Sequence, residues 1–191
     1  NVKFETSPYY EDLLETKDYS GFAVFWEGYE KIGKIDGLWD KLLMEYINGE
    51  RKSLVWAIGE LDYKMEGYNG TNIDSIINFI FVKNKDKTDI INSIKRGNLY
   101  VLKKGGFNYY PVIDEFNVGN KVSIKIRYSD TAKRKILINL VRNGKLYKKY
   151  ENTTPFEVNF INDMKGKHYY RFEALAKEEE SIIISNPIIV M

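Results

Sequence analysis

Three ionisable side chains crowd the end of one short apolar run. Residues 53–64, SLVWAIGELDYK, read as a buried strand over 54–58, a glycine turn at Gly59, and then Glu60, Asp62 and Lys64. An apolar strand closing on glycine and carboxylates is how an α/β protein presents chemistry at the carboxyl edge of its sheet. Glu60 and Asp62 offer oxygens suited to a hard divalent cation such as magnesium or calcium. Glu66 and Asp74, in the loop that follows, are placed to join them. The competing reading is a solvated acidic loop, or an Asp62–Lys64 ion pair.

The other chemistry-bearing side chains are few. Trp26 closes an apolar run beside Glu27 and is the tryptophan best placed to face a ligand. Trp39 and Trp56 sit inside apolar elements and read as core. Tyr109 and Tyr110 read as a clamp between two halves of the chain. The single histidine, His168, falls late in the chain and reads as a surface or hydrogen-bonded strand residue. There is no cysteine, so disulfides and thiolate metal sites are excluded. Neither a phosphate-cradling glycine loop nor a Ser/His/Asp nucleophile set is visible.

Composition sets the frame for these residues. The chain has 191 residues, 43% of them hydrophobic and 15% aromatic, enough to bury a core. The 29 basic and 27 acidic residues nearly cancel, and a net charge of +2 gives no reason to expect nucleic acid or an anionic membrane as partner. No apolar run approaches the ~18 residues of a membrane span. The chain starts at Asn1 rather than Met, which suits a processed chain, a domain or a fragment. The lack of cysteine leaves the compartment open; a soluble protein of bacterial type, exported and then processed, is one reading. Asn69 and Asn152 fit the glycosylation sequon, a pattern common by chance.

The elements that must position the candidates follow from periodicity. Ser7-Pro8 starts a helix through Tyr10, Leu13 and Leu14. Gly21 opens the apolar run Phe22-Ala23-Val24-Phe25-Trp26, a strand buried on both faces. Asp36 is placed to cap a helix carrying Leu38, Leu42, Leu43, Tyr46 and Ile47, which Gly49 closes. A strand over 76–82 precedes a helix started by Thr88 and Asp89, with Ile90, Ile91 and Ile94 on its inner face. Gly97 ends that helix, and Leu99 to Leu102 form another strand. Alternating helices and strands argue α/β with parallel pairing.

Residues 103–111, KKGGFNYYP, break the pattern and read as a domain junction. Beyond them the period is two. Val122, Ile124, Ile126 and Tyr128 alternate with polar residues, and Asn143-Gly144 is a strong hairpin signal. Short strands recur to the end, where Pro187 marks an edge strand or two short pieces. The division expected is 1–104 as one unit and 105–191 as an immunoglobulin-like antiparallel β-sandwich.

Four segments in order carry a family resemblance. Gly21-Phe22-Ala23-Val24-Phe25 is similar to a strand of the form hydrophobic-G-I-E-V-hydrophobic. Residues 37–43, GLWDKLL, resemble a W-D-x-L-L helix, and 56–62, WAIGELD, the strand end A-I-G-x-x-D-x-H. Residues 90–100, IINSIKRGNLY, are similar to I-x-x-A-I-x-x-G-R-x-Y. Together they resemble the carboxyl-terminal half of PHP-domain metal-dependent phosphoesterases. The terminal Ser185-Asn186-Pro187-Ile188-Ile189-Val190 resembles the end of members that append a β-sandwich.

The resemblance implies a distorted β/α barrel holding divalent ions that polarise a phosphoester and generate hydroxide. In that pattern Asp62 matches a metal ligand, while Lys64 stands where a ligating His belongs. The family's amino-terminal His-x-His is absent, so the resemblance implies about half a barrel without catalysis of its own. Manganese, zinc or magnesium would be held only if an upstream segment or a partner chain completed the site. The alternative reading is a non-catalytic binding or scaffold module, taking a carbohydrate or a protein through the sandwich. Unclosed sheet edges would also favour self-association.

Overall fold

The strand that organises the molecule is β10 (His168–Ala176), buried on both faces along nearly its whole length. Its side chains alternate between two cores, as a period of two requires. Tyr170, Phe172 and Ala174 enter one hydrophobic cluster, and Tyr169 enters another on the opposite face. The computed structural model describes residues 7–16, 18–25, 32–61, 63–68 and 72–191, without the side chains of 7–10 and Phe22.

Around β10 lies a seven-stranded sheet. It is built from β3 (Ile76–Ile80), β4 (Leu99–Lys103), β11 (Ser181–Ser185), β10, β7 (Lys135–Arg142) and β8 (Lys145–Thr153), in that order. The seventh strand, β12 (Ile188–Val190), pairs with the start of β10 beyond the end of β11. Thus β11 and β12 are one strand broken at Pro187, the two short pieces that proline predicts. At the β7–β8 hairpin, Asn143 and Gly144 take φ of 50° and 79°, as a two-residue primed turn needs. The outer strand, β8, carries Lys145, Lys148 and Lys149, which discourage further pairing along that edge.

A three-stranded sheet covers one face. Its strands β5 (Pro111–Val118), β6 (Lys121–Tyr128) and β9 (Phe156–Ile161) are all antiparallel. Val122, Ile124 and Ile126 of β6 meet Leu102, Ile138 and Phe172 across the gap. This is the β-sandwich that the period of two predicts. One of its strands, β5, escapes a reading by periodicity, because Asp114 and Glu115 and the bulge between Ile113 and Glu115 interrupt the alternation.

The other face of the large sheet carries β1 (Gly21–Ala23), β2 (Trp56–Ile58) and α2 (Leu38–Asn48). Strands β1 and β2 pair in parallel, with α2 as the crossover between them. Trp39, fully buried, donates its indole N–H to the Val55 carbonyl at 2.8 Å. The preceding helix, α1 (Ser7–Glu15), is tied to α2 by Arg51, which donates to the Leu13 and Thr16 carbonyls and pairs with Glu45.

The expected partial β/α barrel does not form. Among the described strands the one parallel pair is β1–β2; β3 and β4 are antiparallel although α3 (Lys87–Lys95) lies between them. The reason is that the sheet face a crossover helix would need is already occupied. Gly59, just past β2, lies directly on Ile76, Asn78 and Val101. The immunoglobulin-like sandwich confined to 105–191 is corrected too. Strand β4 pairs with β11, from Tyr100↔Ser185 to Lys103↔Ile182, so the large sheet runs across position 104.

Two smaller expectations are also revised. Asp36 does not cap α2: Gly37 is the N-cap, and the Asp40 carboxylate instead accepts the Asp36 N–H at 2.9 Å. Helix α3 does not bury its isoleucines; Ser93 is its buried residue.

Candidate ligand-binding cleft

Where β3 and β11 begin and β4 and β10 end, two loops leave a cleft of about 530 Å³, within the size range of small-ligand sites. One loop is the KKGGFNYYP stretch after β4, and the other is the turn between β10 and β11. Both are pinned by backbone. The Lys104 N–H donates to the Ser75 carbonyl at 2.8 Å, and the Gly105 N–H to Ser181 Oγ at 2.9 Å. A Cβ at Gly105 would stand 1.5 Å from the Glu179 carbonyl oxygen, so glycine is what lets the two loops touch. The Lys104 ammonium pairs with Asp74, fixing the loop to the segment before β3.

Phe107 stands in this cleft with 44% of its surface exposed. Its ring is not loose. It stacks on Tyr109 with centroids 5.2 Å apart, and Tyr109 in turn carries the Arg134 guanidinium 3.7 Å from its ring centre. Arg134 also lies 4.8 Å over Tyr128. The column ends on Glu179, which is buried, accepts from the Tyr128 hydroxyl at 3.1 Å and faces Arg134 Nε at 3.4 Å. Asp130 grips Arg134 from outside with two hydrogen bonds of 2.7 Å. Those bonds hold the Asp130 carboxyl below its ordinary range, while burial and the neighbouring Glu179 push the Tyr128 hydroxyl up.

Around Phe107 the cleft is polar. Asn72 and Asn108 offer amides, Asp74 a carboxylate, and Lys103 and Lys177 exposed ammonium groups. A fixed aromatic face beside amides and charges can hold an amphipathic, hydroxyl-bearing molecule: C–H groups against the ring, hydroxyls on the polar rim. Sequence reasoning passes over Phe107 and Asn108 because Gly105-Gly106 and Pro111 read as a junction. The signal present in the sequence is two aromatics, Phe107 and Tyr109, flanking one polar residue behind those glycines.

The residues singled out from sequence are distributed differently. Glu60 is exposed past β2. Asp62 and Trp26 lie outside the described residues, as does Asn69. Lys64 is exposed with its ammonium 5.3 Å over the Tyr68 ring. Glu66 accepts from the Tyr63 hydroxyl and the Ile73 N–H, so it serves its own loop. Asp74 goes to the cleft through Lys104. Among the described residues no group of three or more His, Asp or Glu is arranged to hold a metal ion. The strand end is not the edge of a barrel: at Gly59 it lies on the large sheet, pinned by Asn78, whose Nδ2 donates to the Gly59 carbonyl (2.9 Å) and whose Oδ1 accepts the Gly59 N–H (2.8 Å).

Other expected roles have clear positions. Trp56 donates to the Lys95 carbonyl at 3.0 Å and packs on Gly97, where a Cβ would meet its ring at 2.2 Å. Tyr110 packs against Phe79 of β3, so this half of the tyrosine pair does join the early and late parts of the chain. His168 is buried, with Nδ1 2.6 Å from the Gly166 carbonyl oxygen and Nε2 3.3 Å from Asn162 Oδ1. Asn152 is exposed in β8, near its end.

Comparisons with protein-family models, with curated proteins and with solved structures find no match.

Proposed function

We propose that the chain is a carbohydrate-binding module that takes a sugar on the outer face of Phe107 in the cleft at the end of the large sheet. One observation carries this reading: an exposed aromatic ring held rigid from behind by Tyr109 and Arg134, at the mouth of a polar cleft whose two loops are locked together at Gly105. A pre-set ring lowers the ordering cost of binding. Asn72, Asn108 and Asp74 supply the donors and acceptors that a sugar's hydroxyls need.

The test is affinity electrophoresis and titration calorimetry against soluble neutral and acidic polysaccharides. At least one polysaccharide is expected to retard the protein, and Phe107→Ala to weaken that binding about tenfold, the scale of one aromatic contact. Because Phe107 is exposed, the variant should keep the wild-type circular dichroism. Failure of every polysaccharide to bind, or undiminished binding by Phe107→Ala, would sink the reading.

A further inference from the structure

Helix α3 leaves part of its apolar face uncovered. Its one buried side chain is Ser93, whereas Ile90, Ile91 and Ile94 are 37%, 39% and 38% exposed. At 3.6 residues per turn these three isoleucines share one face, with Lys87 one turn before them and Lys95 beside Ile94. Each isoleucine keeps more than a third of its surface in water, and three on one helix face form an apolar patch of the kind that marks an interaction site.

The charge around the ridge is one-sided. Residues 83–96 hold Lys83, Lys85, Lys87, Lys95 and Arg96 against two carboxylates, so this short segment is more positive than the whole chain at +2. Both carboxylates are engaged locally. Asp86 accepts the Asp89 N–H at 2.9 Å as the helix cap, and Asp89 accepts two hydrogen bonds from Asn84. All five cations are exposed, and among the described residues none forms an ion pair. The near-neutral total therefore conceals a local basic, apolar surface.

We infer that α3 docks on an anionic lipid surface, with Ile90, Ile91 and Ile94 entering the headgroup boundary and the five cations pairing with acidic headgroups. The charge and the helix together point to a bilayer. Nine residues with three part-exposed isoleucines among five exposed cations match a fluid anionic interface, which moulds to a short amphipathic segment. Long Lys and Arg stems reach outward while the apolar face sinks. The binding is reversible and salt-sensitive, since the inserted area is small and each cation adds a screened attraction.

The test is co-sedimentation of the full chain with vesicles of phosphatidylcholine alone and of phosphatidylcholine mixed with phosphatidylserine, at low and high salt. Binding is expected to the phosphatidylserine vesicles and to fall with salt. Lys87→Glu with Lys95→Glu should lower it by at least about tenfold. Ile91→Ser with Ile94→Ser should lower it several-fold while sparing binding to soluble polyglutamate. Circular dichroism checks that both variants stay folded. Equal binding to both vesicle types, no binding to either, or binding indifferent to the isoleucine substitutions would overturn the inference. Capture by polyglutamate without vesicle binding would overturn it in favour of an acidic protein partner.

Discussion

Arg171 and Asp40 meet in the interior although 131 positions separate them, Nε to Oδ1 at 2.7 Å, with the Arg171 side chain fully buried and that of Asp40 1% exposed. This pair clamps α2 onto the centre of the large sheet. Tyr169 donates to the same Asp40 oxygen at 2.8 Å, Glu173 faces Arg171 Nη1 at 3.3 Å, and the guanidinium lies 4.8 Å from the Trp39 ring centre. Burial works against the charge on Arg171, but Asp40 and Glu173 outweigh it and hold the group above its ordinary range. Removing Asp40 takes away the two shortest bonds of the buried guanidinium and leaves it Glu173 alone as a carboxylate, so Asp40→Ala should cost about 3–5 kcal/mol in urea unfolding. Replacing the pair together, Asp40→Leu with Arg171→Met, should cost clearly less than the two single changes summed.

The unpaired edge of β2 is buried at Ala57 and sealed by the Asn186 amide instead of a strand. Asn186 accepts the Ala57 N–H at 2.7 Å and donates to the Ala57 and Leu99 carbonyls. Asn186→Leu would leave those buried groups unpaired, at a cost of about 3 kcal/mol. Hydrogen exchange gives the local readout: the Ala57 amide should be well protected in the wild type and exchange much faster in the variant. Unchanged protection would mean that another group satisfies Ala57.

Neighbouring glycines in the cleft loop should behave oppositely. Gly105→Ala forces a Cβ into Glu179 and should cost about 1–3 kcal/mol, while weakening sugar binding by opening the loops. Gly106 has nothing within 4 Å of its added Cβ, so Gly106→Ala should stay within about 0.5 kcal/mol of wild type. Thermal unfolding of the two variants side by side checks this.

The Asp130–Arg134 pair gives a pH prediction. Hydrogen bonds from Arg134 lower the Asp130 carboxyl below its ordinary 3.8. A lowered folded value means the contribution is complete above that ordinary value and is lost as pH falls through the folded one. Side-chain carboxyl NMR should show Asp130 titrating below the usual range, and Arg134→Gln should return it toward normal. The Phe107–Tyr109 stack should loosen in that variant too, since Tyr109 loses the cation over its other face.

Much of the local structure was legible in sequence. The three helices, the Asn143-Gly144 hairpin and the break at Pro187 appear in the stretches their short-range signals mark, although α2 starts from Gly37 rather than Asp36 and α3 is capped by Asp86, ahead of Thr88 and Asp89. The assembly was misread where a local pattern fits two partners equally well. The apolar runs of β3 (Ile76–Ile80) and β4 (Leu99–Lys103) look the same whether the two strands pair parallel or antiparallel, and α3 between them suggested a crossover. The Phe107 cleft escapes a reading of the sequence for a related reason. Carboxylates after Gly59 looked like a strand end offering ligands, while Phe107 looked like part of a linker until Tyr109, Arg134 and Glu179 closed behind it.

By itself the sequence determined the periods and turns, because backbone sterics and side-chain spacing act within a few residues. It also determined that no cysteine chemistry exists here. Only the tertiary structure decided which strands share a sheet. It placed Gly59 on Val101 and left no room there for a crossover helix. It drew Arg171 to Asp40, and it left the isoleucines of α3 part-exposed beside their cations. Those outcomes depend on which faces compete for the same buried area, a contest among segments distant in the chain that no local pattern records.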